Sequence, residues 1–122
     1  MTQKKILILD DKEAIGKIIA NYLLNEYECI YFSNPLDVIK WLEEGNIPDL
    51  IVLDLRMPFM TGEEFLNYIK NNELFKSIKV VILSSEDSSR DRIRLLENGA
   101  EDYILKPFNP LELKVRLKKI LK

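Results

Sequence analysis

The sequence predicts a single doubly wound α/β domain, with helices on both faces of a parallel sheet. Five β-like runs alternate strictly with five helical patterns, the signature of successive β–α units. The third run, Leu50 to Leu53, is apolar throughout, as a central parallel strand buried on both faces must be. The chain has 122 residues, enough for one core and little more. Residues 1–122 are therefore read as one domain, with no linker, low-complexity stretch or internal repeat beyond the shared architecture.

The elements follow from local pattern. Lys5 to Leu9 reads as the first strand, and Ile15, Ile18, Ile19, Tyr22 and Leu23 share one face of the helix after it. Glu28 to Phe32 is the second strand. Asn34-Pro35 opens a helix through Val38, Ile39 and Leu42, which Gly45 ends. After the third strand, Thr61 caps a helix and Glu64 completes a capping box. Val80 to Leu83 is the fourth strand; Ser88 or Ser89 caps a helix that stops at Gly99. Asp102 to Leu105 is the fifth strand. Asn109-Pro110, with Glu112 three residues after the cap, opens the last helix.

Bulk properties narrow the function. A formal net charge of −2 gives no electrostatic case for nucleic acid or an acidic membrane. The apolar runs are too short to span a bilayer, and Met1 to Lys5 leads straight into a strand without a signal-peptide core. A cytoplasmic location is expected. Cys29, the only cysteine, is expected to be a reduced, buried packing residue. The chain contains no histidine, which removes Ser-His-Asp and Cys-His catalysis and histidine metal sites. Any metal must sit on oxygen ligands, which points to magnesium, calcium or manganese.

In a doubly wound sheet, ligands bind beyond the carboxyl ends of the strands. Asp10 and Asp11 follow strand one, Asp54 strand three, Ser84 and Ser85 strand four, and Lys106-Pro107 strand five. Strand two is followed only by uncharged residues and would lie outside the site as an edge strand in the order 2-1-3-4-5. Seen alone, Asp10 or Asp11 could merely cap the first helix, Asp54 could be a turn residue, and Lys106 a solvated one. Together they put three carboxylates, a hydroxyl and an ammonium on one edge. Three clustered carboxylates repel one another unless a cation or protons intervene. Magnesium takes few protein carboxylates and several phosphate or water oxygens. Lys106 and Ser84 can then meet phosphoryl oxygens, which leaves Asp54 placed as the nucleophile.

At these residues the chain resembles the receiver domain of the two-component response-regulator family, the CheY-like superfamily. The resemblance covers essentially the whole chain. It rests on Asp10-Asp11, Asp54 with Met57-Pro58 and Gly62, Ser84, and Tyr103 ahead of Lys106-Pro107-Phe108. It implies a flavodoxin-like (βα)5 three-layer sandwich and a phosphoacceptor switch rather than an enzyme, with self-catalysed phosphoryl transfer and slow autodephosphorylation. Asp54 would be the acceptor. Asp11 would bind Mg2+ directly, Asp10 mainly through water, and the Arg56 backbone carbonyl would be a further ligand; Mn2+ or Ca2+ could replace it in a crystal. Lys106 would contact the phosphoryl group and precede a cis bond to Pro107. Ser84 and Tyr103 would be the switch pair. The resemblance also implies a phosphohistidine donor on a sensor histidine kinase or a histidine phosphotransfer protein; this chain has no histidine, so that donor would be another protein or domain. Serine replaces the commoner threonine at position 84 and keeps the hydroxyl.

Rival readings are a Mg2+-dependent aspartyl-phosphate phosphohydrolase, a flavodoxin-like cofactor binder and a non-phosphorylated docking scaffold. The first expects an acid two residues after the nucleophile, where Arg56 stands and cannot serve. The second lacks a phosphate-cradling glycine loop after a strand. The intact acidic and lysine set argues against the third. Arg56 and Glu86, each two residues after a site residue, are expected at the rim as an ion pair or as solvated charges. In the last helix Leu113, Leu117, Ile120 and Leu121 form one apolar arc, and Leu111 and Val115 a second that one sheet face does not need. The stretch from Arg92 to Arg116 also resembles receivers of the winged-helix transcription-factor subfamily, which dimerise through helix four, strand five and helix five when phosphorylated. Ile93 and Leu96 would be the apolar centre of that contact, with Arg92 facing Glu112 and Glu101 facing Arg116; the alternative is local packing and solvated charges.

Overall fold

In a computed structural model, which describes residues 3–122, the strands and helices alternate in the expected order. They are β1 (Lys5–Leu9), α1 (Glu13–Leu23), β2 (Glu28–Phe32), α2 (Pro35–Glu43) and β3 (Leu50–Asp54). Then come α3 (Gly62–Lys70), β4 (Lys79–Ser84), α4 (Ser89–Glu97), β5 (Asp102–Leu105) and α5 (Pro110–Ile120). The five strands form one parallel sheet in the order β2-β1-β3-β4-β5. Two strands run one residue further than the apolar pattern suggests. Asp54 pairs with Leu83, and Ser84 pairs with Leu105. Both polar residues are therefore the last rungs of a ladder rather than the start of a loop, and their backbones are rigidly held.

Alternation along the strands divides the core. Leu7, Leu9, Ile51, Leu53, Val80 and Ile82 face α2, α3 and α4, where Val38, Phe65, Leu66 and Leu95 meet them. Ile6, Ile8, Leu50, Val52, Val81 and Leu83 face α1 and α5, against Ile19, Leu23, Leu113 and Leu117. Each such fully buried aliphatic side chain contributes about 1.5–3 kcal/mol. On α1 the buried stripe is Gly16, Ile19 and Leu23. Ile18 and Tyr22, expected on that face, remain 43% and 42% exposed. The apolar arc of α1 is wider than the stripe that one sheet face covers. Cys29 is half-buried rather than buried, because β2 is an edge strand, and its thiol is pushed up by burial.

The caps fix where the helices begin. Thr61 and Glu64 bond reciprocally, at 3.1 and 2.9 Å, at the head of α3. Ser88, not Ser89, caps α4 by accepting from the Asp91 N–H at 3.2 Å. Asn109 caps α5 by accepting from Leu111 and Glu112 N–H; the Glu112 carboxylate turns to Arg116 instead. Neither Asp10 nor Asp11 is an N-cap residue. That place belongs to Lys12, whose side chain makes no cap bond.

Candidate functional site

The carboxyl ends of β1, β3, β4 and β5 bring the acidic residues and the lysine together. Asp10, Asp54 and Ser84 are buried, and Asp11 is exposed. One carboxylate oxygen from each of Asp10, Asp11 and Asp54 lies within 4.8 Å of the other two. The Lys106 ammonium reaches over from the end of β5, 3.0 Å from Asp10 Oδ2 and 3.2 Å from Asp54 Oδ1. Lys106 precedes a cis bond to Pro107, and its backbone N–H donates to the Ser84 carbonyl at 2.8 Å. Asp10 is oriented further by the Lys12 N–H, which donates to its Oδ1 at 2.8 Å. Asp54 and Lys106 line a cleft of about 660 Å³ whose wall also includes Asp11, Arg56, Ser84 and Phe108.

The electrostatics are those of a site short of positive charge. Burial pushes the Asp54 carboxyl above its ordinary value, and the Asp10 charge adds to the rise; Lys106 and the Arg56 backbone oppose it without cancelling it. Burial works against the Lys106 ammonium, but Asp10 and Asp54 outweigh it, so its value is raised and it stays charged. Burial, followed by the charges of Asp10, Glu13 and Asp11, raises the Tyr31 phenol, which remains a donor at neutral pH.

The loop after β3 passes close behind Asp54. A Cβ on Gly62 would lie 2.6 Å from the Asp54 carbonyl oxygen and 2.7 Å from Leu55 Cα. The Gly62 N–H also donates to the Leu55 carbonyl at 2.8 Å. A backbone this close leaves no room for any other residue.

On the rim, Arg56 and Glu86 form an ion pair. The backbone of Glu86 links the two switch candidates. Its N–H donates to Ser84 Oγ at 3.0 Å, and its carbonyl accepts from the Tyr103 hydroxyl at 2.9 Å. Tyr103 is buried at 6% exposure, deeper than a half-buried aromatic, and the Arg92 guanidinium stands 5.9 Å from its ring centroid. Beyond lies an apolar face. Ile93, Leu96, Leu111 and Val115 are exposed, while Leu113, Leu117 and Leu121 are buried. The second arc of the last helix is therefore free in the isolated chain. Within one chain the charges have local partners: Arg92 with Asp87, and Arg116 with Asp102 at 2.9 Å and Glu112 at 3.4 Å.

Sequence reasoning missed Asp102 as the partner of Arg116, and it placed β2 correctly as the edge strand but missed its grip on the site. Tyr31 and Phe32 both hydrogen-bond the backbone of Asp10. Only the aromatic pair at the end of an edge strand hinted at this.

Comparison with known proteins agrees with this geometry. The profile of the response regulator receiver domain matches residues 6–118. The chain is 38% identical to the phosphate regulon transcriptional regulatory protein PhoB of Pseudomonas aeruginosa, over all of this chain and 53% of that protein. It is 38% identical to histidine kinase P4 of Formosa agariphila, over 95% of this chain and 8% of that one. Among solved structures, chemotaxis response regulator CheY4 of Vibrio cholerae superposes with a TM-score of 0.88 at 27% identity, covering 98% of this chain and 99% of that one. The chain spans about half the length of the PhoB relatives it matches. The clustered acids, the lysine they share, the strand order and the near-complete profile match have one common explanation, which is that this chain belongs to the response regulator receiver domain family.

Proposed function

We propose that this receiver domain takes a phosphoryl group onto the Asp54 carboxylate from a phosphohistidine on a sensor histidine kinase or histidine phosphotransfer protein. The observation that carries the reading is the buried Asp54 carboxylate beside Asp10, Asp11 and the Lys106 ammonium. Asp54 attacks phosphorus, a new O–P bond forms, and the donor imidazole leaves with the electrons of the old N–P bond. Lys106 and Ser84 meet phosphoryl oxygens as charge redistributes. An oxygen-only donor set with an unrelieved charge deficit at Asp54 fits a hard divalent cation. Asp10, Asp11, Asp54 and the Arg56 carbonyl would hold Mg2+. When bound, it would neutralise charge on the transferring group. The test is incubation with a small phosphodonor, with and without Mg2+, followed by intact mass. One added phosphoryl group, only with Mg2+, is expected; none in either case would refute the reading.

The same arrangement bears on output and lifetime. Ser84 and Tyr103 share the Glu86 backbone, so a shift of the Ser84 hydroxyl toward a phosphoryl group would disturb the Tyr103 bond. This would carry the signal to the face of α4, β5 and α5, where we place homodimer contact. Exposed Ile93, Leu96, Leu111 and Val115 support that occupant. Sedimentation should show dimers on phosphorylation, and a monomer in both states would dismiss them. The Arg56–Glu86 pair is mostly solvated on the arginine side, so its stability value is small and its role is to shield the acyl phosphate in slow self-catalysed hydrolysis. Arg56→Ala should shorten the phosphoryl lifetime several-fold; equal decay would remove that role. No helix among the described residues is long and apolar enough to cross a membrane. A cytoplasmic location and no direct binding of nucleic acid complete the proposal, supported by the net charge of −2.

A further inference from the structure

Strand β2 brings no charge to the site, yet it grips the turn that carries Asp10 and Asp11. The Asp10 N–H donates to the Phe32 carbonyl at 3.2 Å. The Asp10 carbonyl accepts from the Tyr31 hydroxyl at 2.7 Å. Both backbone polar groups of Asp10 are thus held by consecutive residues of the edge strand. The Asp10 carboxylate is already fixed by the Lys12 N–H and Lys106. The Asp11 carboxylate is exposed, so its aim depends on its backbone. The Asp10 carbonyl and the Asp11 N–H belong to one planar peptide. A hydrogen bond that holds the carbonyl therefore sets the direction in which Asp11 leaves the strand.

The contact also needs space on α1. A Cβ on Gly16 would lie 2.4 Å from Tyr31 Cδ1 and 2.5 Å from Cε1. The ring occupies the volume that any other residue at position 16 would take. A phenylalanine at position 31 would fill that volume equally well. The hydroxyl adds nothing to the packing, and its bond is to the Asp10 carbonyl.

We infer that Tyr31 is a positioning residue for divalent-cation binding, its hydroxyl presetting the Asp10–Asp11 peptide in the space left by Gly16. The inference rests on the reading that Asp10, Asp11 and Asp54 hold a cation. Preorganised ligands bind more tightly because less freedom is lost on binding. The role therefore appears as affinity and not as a step in phosphoryl transfer.

The experiment is calorimetric titration of wild type, Tyr31→Phe and Gly16→Ala with MgCl2, alongside thermal unfolding of each. Tyr31→Phe should raise the Mg2+ Kd about three- to tenfold, the worth of one neutral hydrogen bond. Gly16→Ala should weaken binding in the same direction by displacing the ring. With a small phosphodonor, Tyr31→Phe should be slow at low Mg2+ and reach the wild-type rate at saturating Mg2+. The backbone amide resonances of Asp11 and Lys12 should shift in the Mg2+-free Tyr31→Phe protein. Equal Mg2+ affinity in wild type and Tyr31→Phe would overturn the positioning role alone. Absence of Mg2+ binding by wild type would overturn the cation reading and this inference with it.

Discussion

Asp54→Asn is expected to take up no phosphoryl group from a small phosphodonor at saturating Mg2+, while wild type gains one; intact mass reads the difference. The amide lacks the nucleophilic oxygen, and the remaining carboxylates are placed otherwise: Asp10 is buried on Lys106, and Asp11 faces solvent. The same substitution should stabilise the metal-free protein at neutral pH, because it removes a charge that burial disfavours and Asp10 repels. The pH dependence has a definite sign. The folded-state value of Asp54 lies above that of the unfolded chain. The stability of its neutral form is fully present below the ordinary carboxyl value, and it is lost as pH rises through the raised one. Wild type and Asp54→Asn should therefore unfold alike in chelator below about pH 4. The difference should open as pH rises through the folded-state value. Denaturant midpoints across that range check it, and labelled Asp54→Asn protein would end the acceptor assignment.

Lys106→Met should destabilise the metal-free protein by about 3 kcal/mol, since it strips the shared cation from two buried carboxylates. Addition of Mg2+ should restore part of that loss, because the incoming charge answers the same deficit. Phosphorylation should slow on the order of 100-fold even then, as the loss of one charged group facing the transferring oxygens implies. Urea unfolding with and without Mg2+, and a phosphorylation time course, separate the two effects. An unfolding midpoint equal to wild type in chelator would show that the carboxylates are relieved in another way.

The sites at the strand ends were readable because topology does the placing. Once five apolar runs alternate with five helices, residues after successive strands must meet at one edge. Asp10, Asp11, Asp54, Ser84 and Lys106 could be gathered without any coordinates. The Arg56–Glu86 pair was readable for the same reason, each residue standing two positions beyond a strand-end group. The caps at Asn34, Thr61 and Asn109 were local patterns and formed as such. Less local features were harder. Which of Ser88 and Ser89 caps α4 depends on one backbone turn. The wide arc of α1 did not say which stripe the sheet would cover.

The sequence alone determined the parallel sheet, its helices, the acidic edge and a site built without histidine. Those depend on periodicity, composition and chain order, each of which is written along the chain. Tertiary structure decided the rest: that Lys106 lies between Asp10 and Asp54, that Tyr103 reaches the Glu86 carbonyl, and that Tyr31 rests on Gly16 to hold the Asp10 carbonyl. All three join residues distant in sequence, and the last two do so through a backbone group, which every residue type except proline offers alike as donor and acceptor. Side-chain identity therefore gives no sign of which carbonyl a phenol will find. Only the close approach of strands and helices in the folded chain selects it.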